Sequence, residues 1–217
     1  MLQALTDRLA QHPIAYDQLR RVIEFNFVAL HRALSEARER LNIDDKDGWI
    51  LDLPCGTGIF ATNIEEDAYV GADLEALYVS AARRRHPARH FQVADGTALP
   101  YADESFQGAI LMGFLHHLDE PTVGAVLAEV ARVLRPDAWL ILIEDAPSPG
   151  FRNPIGWCLQ KLDVGDHIRE SDAYTPLLEP AFREQYRRSF ASGFWNYTMW
   201  LGRKQDLGDR EATPAER

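Results

Sequence analysis

The chain has 217 residues, 46% of them hydrophobic, which is enough for one domain with a full core. Its formal charge of −10 and its isoelectric point near 5.1 argue against the basic face that nucleic-acid binding needs. Two cysteines are too few for a disulfide framework or a cysteine-rich metal site. With no apolar run of membrane-spanning length and no signal-peptide core, we expect a cytoplasmic protein without a membrane span or a metal.

The first pattern along the chain is helical. Apolar residues recur at helical spacing over residues 14–41, with arginine and glutamate on the other face. We predict one amphipathic helix there, ending near Asn42, within an N-terminal helical cap over residues 1–47. The apolar positions are Leu19, Val22, Ile23, Phe27, Leu30, Leu34 and Leu41.

The central motif runs from Trp49 to Phe60 and reads WILDLPCGTGIF. It predicts a buried strand, a tight glycine loop and the start of a helix. Glycine allows positive φ in such a loop and lets a ligand approach the backbone closely. A helix that begins there would add free N–H groups. In open α/β sheets, ligands bind at this carboxyl end of the strands.

Strand and helix patterns then alternate up to residue 145. Predicted strands cover residues 69–73, 90–93, 106–112 and 139–143, and helices cover 74–86 and a segment from about Pro121 to Leu134. Nearly continuous apolar strands separated by helices are typical of a parallel sheet covered on both faces. We therefore assign residues 48–145 to one α/β core.

The C-terminal part changes character. Residues 146–182 are proline-rich, lack a strand pattern, and are predicted to form a cap over the substrate. Strand-like runs at 183–190 and 195–201, joined through Ser192 and Gly193, predict a terminal hairpin within residues 183–202. Residues 203–217 are polar and predicted to be a disordered tail.

Two cofactor classes fit the glycine loop. The run GTGIFA matches G-x-G-x-x-G/A, and Asp73 follows fifteen residues after Gly58, which favours a nicotinamide-dependent oxidoreductase. Asp52, however, precedes the loop at the end of the first strand, where it would repel a pyrophosphate and would suit a cationic amino group. Asp95 and Gly96 form a polar turn after the third strand that suits an adenine edge, and the predicted hairpin replaces a second nucleotide-binding half.

Four segments together resemble the class I S-adenosylmethionine-dependent methyltransferases, in the small-molecule subgroup of ubiquinone, biotin and sterol enzymes. The segments are LDLPCGTG, VGADLE, VADGTALPYADESFQGAILMGFLHHL and VLRPDAWLILIE. The resemblance covers residues 48–145 and, more loosely, the hairpin. It implies a Rossmann-like, seven-stranded, mostly parallel sheet with helices on both faces and a C-terminal antiparallel hairpin. Pro54 departs from the family pattern, which more often has a glycine there.

The resemblance also implies a cofactor, S-adenosylmethionine, and a product, S-adenosylhomocysteine. Asp73 would accept from the ribose hydroxyls, Asp52 would meet the amino end, and Asp95 would accept from adenine. Alternatives are that Asp73 caps the following helix and that Asp95 only makes a turn. The expected cofactor-binding residues are Asp52, Pro54, Cys55, Gly56, Gly58, Asp73, Leu74, Asp95, Gly96, Met112 and Gly113.

Methyl transfer from a sulfonium is mainly a matter of positioning, and a general base helps only when the acceptor must lose a proton. The base candidates are His116, His117, Glu144, Asp145 and His167. Because adjacent residues on a turn point apart, we expect one of the two consecutive histidines to face the cleft, and we choose His116. The alternative for either is a structural histidine at the start of a helix.

The acceptor is expected to be a small or lipid-like molecule held under the first helix and the cap. The candidate lining residues are Tyr16, Arg20, His117, Arg152, Trp157, His167 and Arg169. Aromatic residues there would otherwise form the core of the cap. Arg152 and Arg169 would bind an acceptor that carries carboxylate or phosphate. A non-catalytic, partner-binding module of the same fold is a further alternative, and no sequence feature addresses the oligomeric state.

Overall fold

Seven strands form one sheet in a computed structural model of the chain, which describes residues 12–162 and 167–205. The strands are β1 Trp49–Leu53, β2 Tyr69–Asp73, β3 His90–Val93, β4 Phe106–Met112, β5 Leu134–Asp145, β6 Phe182–Ser192 and β7 Trp195–Lys204. Their order is β3-β2-β1-β4-β5-β7-β6, and β7 alone runs antiparallel to both of its neighbours. This order confirms the expected mostly parallel sheet with a terminal hairpin.

Helices pack on both faces of the sheet, as predicted. The helices of the described residues are α1 Pro13–Ile23, α2 Val28–Leu41, α3 Ala76–Arg85, α4 Glu120–Val133, α5 Pro154–Leu162 and α6 Thr175–Leu178. Apolar side chains of α2 and α3 form a core with one face of the sheet, and those of α4 and α6 form a core with the other. Within the described part of the chain no helix is long and apolar enough to cross a membrane.

The prediction of one helix over residues 14–41 is wrong. Phe25, Asn26 and Phe27 have φ values of 50°, 58° and 58°, which end α1 and turn the chain before α2 begins. This turn buries the Phe27 ring in the core. The turn lets α2 pack on one face of the sheet while α1 crosses the carboxyl edge of the sheet. The two helices therefore contact different parts of the sheet.

The prediction of an α-helix directly after the glycine loop is also wrong. The chain from the loop to β2 contains only short 3₁₀ turns, the first at Ala61–Asn63. Glycine, threonine, isoleucine and asparagine dominate residues 56–64, and these are weak helix formers. The loop therefore does not gain a helix N-terminus from its own continuation.

Three strands are longer than the sequence pattern indicated, and β6 gains one residue at its start and two at its end. β5 begins at Leu134, which we had expected on the face of the preceding helix, and continues to Asp145. β7 continues through Lys204, because Arg203 and Lys204 still pair with β6, so the polar tail begins later than residue 203. The remainder of the predicted tail, residues 206–217, lies outside the described residues.

Candidate cofactor and active site

The glycine loop after β1 has the left-handed backbone that its sequence requires. Gly56 and Gly58 have φ values of 52° and 73°, and the Leu53–Pro54 peptide is cis. The Cys55 N–H donates to the Ala72 carbonyl at 2.8 Å, which ties the loop to β2. Cys55 is buried, and burial raises the pKa of its thiol. It is therefore a packing residue of the loop and not a thiolate.

Asp73, the last residue of β2, binds the glycine loop directly. Its Oδ2 accepts from the Gly56 N–H at 2.8 Å, and its Oδ1 accepts from the Glu75 N–H at 2.9 Å. The side chain is buried, and burial raises its pKa above the ordinary value. The alternative helix-cap role is not observed, because α3 begins at Ala76 with Glu75 in the cap position.

Asp52 lies on β1 beside Asp73, with its carboxylate buried below the loop. Its Oδ2 accepts from the Tyr69 hydroxyl at 2.6 Å. Burial raises the pKa of Asp52 to about 7, and the neighbouring Asp73 charge acts in the same direction. A carboxyl group with this pKa holds a proton part of the time at neutral pH, and a cationic ligand would favour its ionised form.

The third acidic strand end is exposed. Asp95 follows β3, and its Oδ1 accepts from the backbone N–H and the hydroxyl of Thr97, both at 2.8 Å. These hydrogen bonds lower the pKa of Asp95. Gly96 is half-buried beside it, and Leu74 is exposed after β2. Since β1, β2 and β3 are neighbours, all three acids lie along one edge of the sheet.

Gly113, after β4, continues this edge. Its φ is 65°, its N–H donates to the Ile143 carbonyl at 2.8 Å, and no atom lies within 4 Å of where a side chain would begin. Met112 precedes it and is half-buried. The backbone at this position is therefore open to a ligand.

The two consecutive histidines occupy different environments. His116 is buried, and its Nδ1 lies 2.9 Å from Glu144 Oε2; its Nε2 lies 3.9 Å from Asp145 Oδ2. His117 is exposed, with its ring 4.0 Å from the His116 ring. Glu144 is fully buried, and its Oε1 accepts from the backbone N–H groups of Phe114 and Leu115. The carboxylate thus holds both the turn after β4 and the His116 ring.

A second cluster of polar side chains, which the sequence did not reveal, binds the glycine loop from α1 and from the C-terminal end of α3. Asp17 of α1 is buried and accepts from the Thr57 hydroxyl and from Arg85, both at 2.7 Å. Arg85 also donates to the Thr57 carbonyl, and His86 contacts the Gly58 carbonyl at 2.9 Å. Basic residues in the last turn of a helix are usually solvated, but Arg85, in the last turn of α3, is bound to Asp17 and to the loop. The sequence feature that could have indicated this cluster is Asp17, an acid in the otherwise apolar and basic helix α1.

The other end of α1 is held by the hairpin. Arg20 donates to Glu24, to the Tyr197 hydroxyl at 2.8 Å and to the Tyr16 hydroxyl at 3.1 Å. The Ile23 carbonyl accepts from a backbone N–H of the β6–β7 turn. Tyr16 and Arg20, which we predicted to line the acceptor site, therefore lie at the carboxyl edge, with the Arg20 charge matched by Glu24.

The predicted lining residues of the cap lie in two places. Arg169 donates to the carbonyls of Leu115 and Leu118 at 2.7 Å, and the His167 N–H donates to the His116 carbonyl at 3.0 Å. These contacts bring residues 167–169 against the turn after β4. Arg152 and Trp157 lie elsewhere, exposed at the start of the cap. Among the described residues, no group of histidine, cysteine and acidic side chains could hold a metal ion.

The loop geometry gives a direct test. Gly58→Ala should lower the free energy of unfolding by about 1–2 kcal/mol, because alanine is strained at positive φ, and its methyl group would approach His86 at 3.1 Å. The matched control is Gly124→Ala in α4, where nothing lies within 4 Å and alanine is the better helix former. Chemical denaturation measures both variants. Equal stability of the two would contradict a strained loop.

Comparisons with known proteins agree with this geometry. The sequence matches the methyltransferase domain family over residues 50–137. The O-methyltransferase cnsE of Penicillium expansum is 40% identical over 113 residues, which are 46% of this chain and 40% of that protein. The demethylmenaquinone methyltransferase of Thermus thermophilus is 34% identical over 149 residues, which are 62% of this chain and 62% of that protein.

A solved structure shares the fold. The geranyl diphosphate C-methyltransferase of Streptomyces coelicolor, in complex with Mg²⁺, geranyl diphosphate and S-adenosylhomocysteine, superposes with a TM-score of 0.64 at 11% identity, over 80% of this chain and 77% of that one. The chain spans only 40–62% of the length of the two curated relatives. The domain match, these relatives and the strand order agree on a Rossmann-like methyltransferase fold, and residues 50–137 are similar to the methyltransferase domain family.

Proposed function

We propose that the chain transfers a methyl group from S-adenosylmethionine to a small or lipid-like acceptor. The observation that carries the proposal is the row of acids at the ends of three adjacent strands, Asp52, Asp73 and Asp95, beside a glycine loop with positive φ. A dinucleotide would bring a pyrophosphate against Asp52, which is buried and close to Asp73. A zwitterionic amino acid attached to a nucleoside fits this row better.

The residues present fit the cofactor in chemistry. A carboxylate has about four lone pairs, and the Asp73 oxygens each accept one backbone hydrogen bond, which leaves room for two ribose hydroxyls. Asp95 is exposed beside Gly96 and would take the adenine amino group, and Leu74 would cover the ring. The open backbone at Gly113 would face the methionine portion. When bound, the cofactor supplies an activated methyl group on a sulfonium.

His116 is our proposed general base for an acceptor that must lose a proton. With Nδ1–H donating to Glu144, the lone pair of the neutral ring is on Nε2. Glu144 would act as a positioning residue, because it fixes the ring and stabilises the imidazolium that proton uptake produces. Turnover lost in His116→Ala, with the affinity for S-adenosylhomocysteine retained, would support this role.

The acceptor class follows from the relatives and from the surroundings of the site. The named relatives include O-methyltransferases and demethylmenaquinone methyltransferases. Arg169 donates to backbone carbonyls through both terminal nitrogens and Arg20 is paired with Glu24, so neither has a free guanidinium fork to offer an anionic acceptor. We therefore infer an uncharged acceptor with a phenolic hydroxyl or a quinone-like ring. This inference replaces the carboxylate or phosphate acceptor considered for Arg169.

The raised pKa of Asp52 predicts a pH dependence. Between its ordinary value near 4 and about 7, the folded state holds a proton that the unfolded chain has released, so the free protein loses stability as pH rises. Pairing with the cofactor ammonium requires release of this proton, so the affinity for S-adenosylhomocysteine should rise up to about tenfold per unit between pH 5 and 7. Titration calorimetry at several pH values measures it. Asp52→Asn should remove the affinity slope and reduce the stability slope, of which Asp73 keeps a part because burial raises its pKa as well. An affinity slope that survives in Asp52→Asn would assign the titration to another group.

Calorimetric titration with S-adenosylmethionine, S-adenosylhomocysteine and NADH tests the function itself. We expect the first two to bind and NADH not to bind. Binding of NADH alone would favour the oxidoreductase interpretation and contradict the proposed role of Asp52. If none of the three binds, the partner-binding module explains the fold better.

A further inference from the structure

Helix α1 is oriented with its apolar side toward solvent. Asp17 of α1 and Glu24, which caps its C-terminal end, are buried against the carboxyl edge of the sheet. Ile14, Leu19 and Val22 are exposed, Val22 with 75% of its surface. A surface helix of a water-soluble domain normally has the opposite orientation. Helical periodicity places Leu19 and Val22 on an apolar face, which normally packs into the core.

A second exposed apolar segment lies next to α1. Phe151, 84% exposed, precedes helix α5, which adds further exposed apolar side chains. The two segments meet at the hairpin turn, where Phe25 packs edge-on against Phe194 with ring centroids 5.5 Å apart, and Asn153 donates to the Phe194 carbonyl at 2.8 Å. We name the combined surface the apolar rim. It consists of Ile14, Leu19, Val22, Phe25, Phe151, Ile155 and Trp157.

The charges around the apolar rim are positive, although the whole chain carries −10. Arg21, Arg152 and Lys161 flank it, and their cationic groups lie 5.2–6.0 Å from aromatic rings. Among the described residues none of the three forms an ion pair. Residues 148–161 contain no acidic residue. Asp17 and Glu24 are buried, so they do not present their charge on this surface.

The apolar rim borders the candidate active site. The hairpin turn lies at the same end of the sheet as Asp145, the last residue of β5, because Asp145 pairs with Tyr197 near the start of β7. Asp17 of α1 contacts Thr57 in the glycine loop. A flat surface that met the apolar rim would therefore lie beside the carboxyl edge of the sheet, where the candidate active site is.

We propose that the apolar rim docks the protein on an anionic membrane surface, from which a lipid-like acceptor enters the site. This proposal deepens the proposed function and rests on it for the acceptor. Aliphatic and aromatic side chains flanked by arginine and lysine are the combination that inserts into the headgroup region of a bilayer. The basic residues account for a preference for anionic lipid. A second copy of the chain would bring equal positive charges together, which disfavours self-association through this surface.

Vesicle flotation without cofactor or acceptor tests the proposal. The wild-type protein should float with vesicles of phosphatidylcholine and phosphatidylglycerol, and binding should fall with added salt and in pure phosphatidylcholine. Val22→Ser combined with Phe151→Ser should weaken binding about tenfold or more, because two exposed apolar side chains are lost. Trp49→Ser is the matched control, since Trp49 is 40% exposed at the start of β1, the opposite edge of the sheet. Thermal unfolding should be unchanged in the double variant because both side chains are exposed.

Two charge-reversal variants distinguish electrostatic docking from nonspecific hydrophobic adsorption. Arg152→Glu should weaken binding to anionic vesicles about tenfold, whereas Arg84→Glu on the outer surface of α3 should not. Equal binding of all variants, or binding indifferent to lipid charge, would overturn the proposal, and so would a dimer that the same substitutions dissociate. A protein that binds S-adenosylhomocysteine but no vesicles contradicts the docking alone. One that binds vesicles but no cofactor contradicts the proposed methyl transfer alone.

Discussion

Replacing Asp73 with asparagine should weaken the affinity for S-adenosylhomocysteine by about 100-fold. The ribose hydroxyls would lose a charged acceptor in a buried position, where truncating one partner of such a pair costs about 2–5 kcal/mol. In asparagine, an NH₂ group also takes the place of one carboxylate oxygen. This donor would face another donor, either the Gly56 N–H or the Glu75 N–H. The substitution therefore removes the ligand contact and loosens the loop that surrounds it.

Titration calorimetry of wild type and variant measures this difference. Asp67→Asn is the control, because Asp67 is an exposed acid shortly before β2. The control should bind as the wild type does. If Asp73→Asn bound S-adenosylhomocysteine as tightly as the control, the ribose would lie elsewhere and the order of ligand contacts along the three strands would be wrong.

The largest expected effect on stability is at Glu144. Its buried carboxylate accepts from the Phe114 and Leu115 N–H groups at 3.0 and 2.9 Å and holds His116 at 2.9 Å. Glu144→Leu would leave these three donors without their acceptor inside the core. We expect the free energy of unfolding to fall by about 3–5 kcal/mol. Glu66→Leu, at an exposed position, should change it by less than about 0.5 kcal/mol.

The conservative variant Glu144→Gln separates folding from chemistry. Its amide oxygen can still accept from the two backbone N–H groups, and its NH₂ can donate to His116 Nδ1, so the stability loss should be only about 1–2 kcal/mol. That donation places the imidazole proton on Nε2 and removes its lone pair. Turnover of a hydroxyl acceptor should therefore fall although the fold persists. Wild-type turnover in a folded Glu144→Gln protein would exclude His116 as the base.

The parts that local sequence predicts well are the strands and the row of acids. β1 and β2 are short, mostly apolar runs with an acid at or next to their last position, and an acid follows the end of β3 by two residues. Asp52, Asp73 and Asp95 could therefore be placed on one edge from their positions at the ends of β1, β2 and β3 alone. The positive φ of Gly56 and Gly58 follows from the same local logic, since a tight turn after a buried strand requires it.

The orientation of α1 could not be predicted in this way. Periodicity identifies an apolar face, and the usual inference is that this face points inward. Here the polar face has partners far away in the sequence: Asp17 binds Arg85, 68 residues on, and Glu24 binds the Tyr197 hydroxyl, 173 residues on. Buried charges are stable only when paired, so the orientation depends on contacts that no local window contains.

The absence of a helix after the glycine loop has a similar cause. The motif resembles one that opens a helix, and its glycines were correctly placed. The loop carbonyls of Thr57 and Gly58 instead contact the side chains of Arg85 and His86, from the far end of α3. Those side chains satisfy the two loop carbonyls, which would accept from backbone N–H groups if a helix followed.

The most direct measurement of the central claim is a crystal structure of the chain with S-adenosylhomocysteine. We expect the ribose hydroxyls within hydrogen-bonding distance of both Asp73 oxygens, the adenine beside Asp95 and Gly96, and the amino group facing Asp52. A ligand bound with its ribose away from Asp73, or a phosphate-bearing nucleotide in its place on the glycine loop, would contradict the account.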